Sequence, residues 1–98
     1  MERGESMSSN CSFAGRRLKR LRIFLEQTQE EFVRGLGISA EALSLYEKGL
    51  RDPSIDFLLS VSVAKGVNPN LFFNTPQGTV IFESMLIREL LRELRAES

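Results

Sequence analysis

The side chains that most often carry enzymatic chemistry are nearly missing from these 98 residues. There is no histidine, and Cys11 is the one cysteine. General acid–base work, a thiolate paired with a base, and a zinc site built on nitrogen or sulfur therefore have little to draw on. No glycine-rich phosphate loop and no nucleophile elbow occurs. The paired carboxylates Glu30-Glu31 are better explained by a helix N-terminus, whose dipole favours negative charge. An enzyme, a cofactor, a metal and a small-molecule ligand are accordingly not expected. What is left is the chemistry of recognition, carried by charged and hydroxyl side chains at helical spacing. The densest group is Arg16, Arg17, Lys19 and Arg20. A solvated charged face is the plain explanation, and phosphate contact by one or two members is the other.

Those side chains need elements to hold them, and the informative stretch is Thr28 to Lys48. Thr28 is a good N-cap and Glu31 follows three residues later, a capping-box pattern that predicts a helix from Gln29. Phe32, Val33 and Leu36 recur on one face of it, and Gly37 offers a left-handed residue to end it. Ser39 is the next N-cap. From Ala40 to Lys48, Leu43 and Tyr46 fall on one side, with Ala40, Glu41, Ser44, Leu45 and Lys48 over the rest. Two helices joined by a tight turn containing glycine, the second facing outward, describe a helix-turn-helix.

The flanking chain supplies a core. Residues 1–12 read as an unstructured polar leader. Phe13 to Glu26 is a helix with Ala14, Leu18, Leu21 and Leu25 on one stripe and Arg22 at its edge. Ser54 caps a helix to Lys65 that offers Ile55, Leu58, Leu59, Val61 and Ser62 to the core, and Gly66 ends it. Asn68-Pro69 opens a short helix through Phe73. Residues 74–78 read as a linker. In the last twenty residues Phe82, Leu86, Ile87, Leu90, Leu91 and Leu94 cover about half of a helix, with Arg88, Arg92 and Arg95 opposite. Such a helix needs a partner: its own domain, or a second copy, which is preferred because five helices already close a small core. A short exchanged strand over Thr79 to Phe82 is a lesser alternative.

Bulk numbers limit the rest. The length suits one domain with tails. Thirteen basic and thirteen acidic residues leave no net charge, although the window from Ala14 to Phe72 carries +2, weak support for a polyanion. A lone cysteine rules out an internal disulfide and fits a reducing cytoplasm. No apolar run is long enough to span a bilayer, and the N-terminus lacks the apolar segment of a signal peptide.

Together, Arg17 to Arg22, Thr28 to Phe32, Leu36 to Ser39, Leu43-Ser44, Tyr46 to Gly49, Pro53-Ser54, Leu58-Leu59 and Gly66-Val67 resemble the lambda-repressor-like DNA-binding domain of the Cro/C1 and XRE type. The likeness covers about sixty residues, Ala14 to Phe73. It implies an all-α fold: a five-helix helix-turn-helix domain over residues 13–74, then over 75–98 a linker and a C-terminal dimerisation helix. That last helix is similar to the one in controller proteins of restriction-modification systems. Carried over by position, Arg22 and Glu47 match an internal ion pair. Thr28 and Gln29 match phosphate anchors at a helix N-terminus. Ser39, Ala40, Glu41, Ser44 and Leu45 match positions facing base edges or the backbone, and Lys48 and Arg51 flank the groove, with Arg51 aligned to a guanine-reading arginine. Arg17 and Arg34 are further candidate phosphate contacts.

The resemblance thus implies a sequence-specific transcription regulator, a repressor or controller, that binds double-stranded DNA as a homodimer through its C-terminal helix. Ala40 and Leu45 can touch a thymine methyl but cannot hydrogen-bond a base, so operator shape should supply much of the specificity. The alternative, from the neutral charge and the apolar Ala40, Ala42 and Leu45, is a protein-interaction module of the same fold with weak or no DNA binding.

Overall fold

The computed structural model describes residues 2–97, with side chains from Phe13 to Ala96. It has five α-helices, α1 (Glu2–Phe24), α2 (Gln29–Val33), α3 (Ala40–Glu47), α4 (Ile55–Lys65) and α5 (Pro76–Glu97), with a 3₁₀ turn (Pro69–Phe72) between the last two. Among the described residues there is no strand, so the β-prone stretch from Thr79 to Phe82 is helical.

From Glu2 onward the backbone of the segment expected as a leader is helical and continuous with the rest of α1. A nucleated helix grows by one hydrogen bond per residue, and the segment contains no proline to stop it. At its other end α1 stops two residues before Glu26. Gln27 N–H donates to Arg22 O at 3.1 Å and Glu26 N–H to Ile23 O at 2.9 Å, with Glu26 itself at φ 59°. That is a Schellman ending with glutamate where glycine is the unstrained residue.

α2 is shorter than its periodicity suggests. It ends at Val33, and the chain turns through Gly35 and Gly37, at φ 81° and 80°. Gly35, rather than Gly37, is therefore the first left-handed residue, and Leu36 reaches the core from the turn. α4 behaves as expected at both ends, with Ser54 Oγ accepting from Phe57 N–H at 3.0 Å and Gly66 left-handed. Its inward face differs. Ile55 and Leu59 are exposed, and Phe57 is buried with its ring 5.4 Å from that of Tyr46. Because α4 is apolar nearly all round, its pattern alone does not choose a face.

Leu18, Leu21, Phe32, Leu43, Val61, Leu71 and Phe72 form the fully buried centre, drawn from every element before α5. α5 joins them. Pro76 opens it, so the expected linker over 74–78 shrinks to a few residues, and Met85 is buried with Ile81 and Phe82 packed beside it. Four helices and a 3₁₀ turn leave one side of the core uncovered, and the inner face of α5 closes it. Two glycines permit the tightest approaches. A Cβ at Gly15 would overlap the Tyr46 carbonyl, and one at Gly78 would overlap those of Phe73 and Asn70.

Candidate nucleic-acid interface

The α2–α3 pair is built by its caps. Thr28 Oγ1 accepts from Glu31 N–H at 3.1 Å while Glu31 Oε1 accepts from Thr28 N–H at 2.8 Å, a closed capping box. Ser39 Oγ accepts from Ala42 N–H at 3.1 Å and starts α3. Each bond satisfies a backbone donor that a helix start leaves open, worth about 1 kcal/mol. Phe32 from α2 and Leu43 from α3 are both fully buried, so the two short helices share one anchorage and neither stands alone.

A three-residue network then fixes α3 to α1 and α2. Arg22 Nε and Nη2 donate to Glu47 Oε2 and Oε1 at 2.8 and 3.1 Å, and Gln29 Nε2 donates to the same Oε1 at 3.1 Å. Arg22 Nη1 also donates to Gln27 O at 3.0 Å, tying in the α1–α2 turn. The side chains of Arg22 and Glu47 are only 16% and 4% exposed, so a two-pronged pair is shielded from water. The pair thus orients the helices, and Gln29 is held at the first position of α2 by a contact to the last residue of α3.

The remaining predicted positions lie on the outside. Thr28, Arg34, Ser39, Glu41, Lys48 and Arg51 are exposed, and Gln29, Ala40, Ser44 and Leu45 are half-buried. After α3, Leu50 N–H bonds back to Leu45 O at 2.9 Å with Gly49 at φ 76°, so the chain reverses just before Arg51. Between Thr28 and Arg51, exposed cations (Arg34, Lys48, Arg51) are matched in number by exposed acids (Glu30, Glu31, Glu41). A surface so balanced lacks the strong positive field of a nonspecific DNA binder.

Two of the sequence assignments are corrected. Arg17 is 9% exposed and faces inward, where Nη1 donates to Leu71 O at 2.8 Å and Gly78 O at 3.3 Å. Its guanidinium lies 4.3 Å from the Phe13 ring and 4.0 Å from the Phe82 ring. Burial, helped by the charge of Arg16, lowers its proton affinity below the ordinary arginine value. A side chain so enclosed does not reach a phosphate. The signal was available, since at 100° per residue Arg17 lies 40° from Leu21, at the opposite edge of the apolar stripe from Arg22.

Phe82, assigned to the dimer seam, packs instead on the core and on Arg17. Leu86 is half-buried, whereas Ile87, Leu90, Leu91 and Leu94 are 48 to 58% exposed, with Val80 at 62%. α5 is therefore apolar on two opposite sides. Gly78, Ile81, Phe82 and Met85 face the core, and the exposed set occupies a sector about 100° wide on the other side. Contacts that the sequence did not suggest line the inner side: Arg20 pairs with Glu89 at 3.2 Å, and Arg92 Nη2 donates to Phe24 O at 2.8 Å.

Among the described residues no helix is long and apolar enough to cross a membrane. A protein-family model described as helix-turn-helix matches residues 18–72, more than half of the chain and the whole of the α2–α3 unit. No curated protein and no solved structure matches the chain.

Proposed function

Since the chain belongs to the lambda-repressor-like, Cro/C1-type helix-turn-helix family and is a DNA-binding regulator in that general sense, we propose that it is a sequence-specific transcription regulator, a repressor or controller, acting as a homodimer on a two-fold-symmetric operator. The observation that carries this reading is the open outer side of α3. Glu41 and Lys48 are exposed, and Ala40, Ser44 and Leu45 are partly so. α3 enters the major groove with Ser39, Ala40, Glu41, Ser44 and Leu45 toward the bases. Thr28, Gln29, Arg34 and Lys48 meet phosphates, and Arg51 reads guanine through its two-pronged donor geometry.

The second copy is joined through the outer side of α5. Covering five aliphatic side chains that are each about half exposed is worth roughly 1 kcal/mol apiece, several kcal/mol per copy before the cost of association. Two-fold symmetry then sets the α3 helices roughly 34 Å apart, one turn of DNA.

The test compares two substitutions by titration against operator and mutated operator. Arg51→Ala should flatten the difference between the two sites, whereas Gln29→Ala should weaken both alike. Equal losses from both changes contradict the assigned roles. A second reading, docking of a protein on the same face, draws on the apolar Ala40 and Leu45 and on the three exposed acids. Salt separates the two, because affinity for DNA falls steeply as salt rises and an apolar interface holds.

A further inference from the structure

Arg17 is a buried cation, and none of its described partners is a carboxylate. A charge removed from water without a counter-charge persists only where carbonyl dipoles and ring faces are placed to receive it. Here they come from separate elements. Leu71 O belongs to the 3₁₀ turn, Gly78 O and Phe82 belong to α5, and Arg17 and Phe13 belong to α1. The guanidinium plane is thus fixed by two rings and two carbonyls, and α5 is held at its base. Further described ties from α1 to α5, Arg20–Glu89 and Arg92 to the Phe24 carbonyl and ring, end on arginines whose side chains are 40 and 45% exposed, where water and salt weaken them.

The base is also where leverage is greatest. Thirteen residues separate Gly78 from Leu91, about 20 Å of helix, so a 10° tilt at the base moves the outer apolar side by about 3.5 Å. One base pair rises 3.4 Å. In a two-fold dimer joined through that side, the displacement is applied from both copies.

We infer that Arg17 is a positioning residue that sets the angle of α5 to the DNA-binding unit and thereby selects the half-site spacing the dimer accepts. This rests on the dimeric regulator reading above and adds to it the element that fixes the distance between recognition helices.

The experiment measures binding of the full chain to duplexes whose two half-sites are separated by the preferred spacer and by spacers up to two base pairs shorter or longer. Single half-site binding, sedimentation equilibrium and amide exchange accompany it. The variants are Arg17→Met, Arg17→Lys, which keeps the charge but loses the planar group between the two rings, and Gly78→Ala, which displaces the same base from the α5 side. Wild type should favour one spacer by about tenfold, and all three variants should reduce that preference to about threefold or less while half-site affinity changes by less than about twofold. Exchange should rise in residues 78–92 and stay slow in α3. Should Arg17→Met unfold, Phe82→Leu decides, because it removes one ring and leaves both hydrogen bonds. A variant that keeps the tenfold preference, or that loses half-site affinity in step with it, overturns the inference. A wild type that sediments as a monomer or ignores spacing overturns the dimer reading as well, whereas a spacing-strict wild-type dimer with equally strict variants overturns this inference alone.

Discussion

Removing Glu47 should be the most damaging single change on the helix-turn-helix. Its carboxylate, 4% exposed, accepts two bonds from Arg22 and one from Gln29. In Glu47→Ala, Arg22 keeps Gln27 O as its one partner among the described residues and stays 16% exposed where it stands. Breaking a buried pair from one side costs about 3–5 kcal/mol because the other charge is stranded. The retained carbonyl and the partial exposure place this case near 3 kcal/mol, a large part of the 5–15 kcal/mol typical of a domain. With a urea slope near 1.5 kcal/mol/M, the unfolding midpoint should fall by about 2 M. The double variant Arg22→Met, Glu47→Leu should recover more than half of that loss, since two apolar side chains leave no stranded charge. A loss under about 1 kcal/mol, or a double variant that is simply the sum of the singles, would show that water screens the pair and refute the network argument.

Three further outcomes follow from local geometry. Gly15→Ala should cost about 2–3 kcal/mol, because its Cβ meets the rigid Tyr46 carbonyl and α1 must part from α3; a cost below about 0.5 kcal/mol in urea unfolding contradicts the close approach. Glu26→Gly should raise stability by roughly 0.5–1 kcal/mol by relieving the left-handed strain at φ 59°, and a fall in the midpoint counts against it. Lys65, whose Nζ sits 4.5 Å over the Phe32 ring, has its pKa lowered by burial. A cation with a lowered folded pKa binds fewer protons folded than unfolded, so its contribution grows as pH rises toward the ordinary lysine value. Wild type should therefore gain on Lys65→Met between pH 7 and pH 10 in urea midpoints, and a gap moving the other way excludes the assignment.

Local chemistry in the chain was enough to place what depends on neighbours in sequence. Thr28 with Glu31, Ser39, Ser54 and Gly66 mark helix ends through bonds spanning a few residues, and each is found where its type requires. The outward side of α3 was legible for the same reason, because Leu43 and Tyr46 take one side of a short helix and leave the other. Only tertiary packing decided the rest. α4 offers apolar residues all round, so Phe57 won the inward place over Ile55 and Leu59 through contact with Tyr46, a residue from another helix. α5 carries two apolar sides, and a periodicity that sums them cannot say which one meets the core. Arg17 reads in the sequence as one of four surface cations, and the 3₁₀ turn and α5 close over it. In each case the outcome depended on a surface supplied from far along the chain, and burial energy, unlike a cap, is set by whatever arrives opposite.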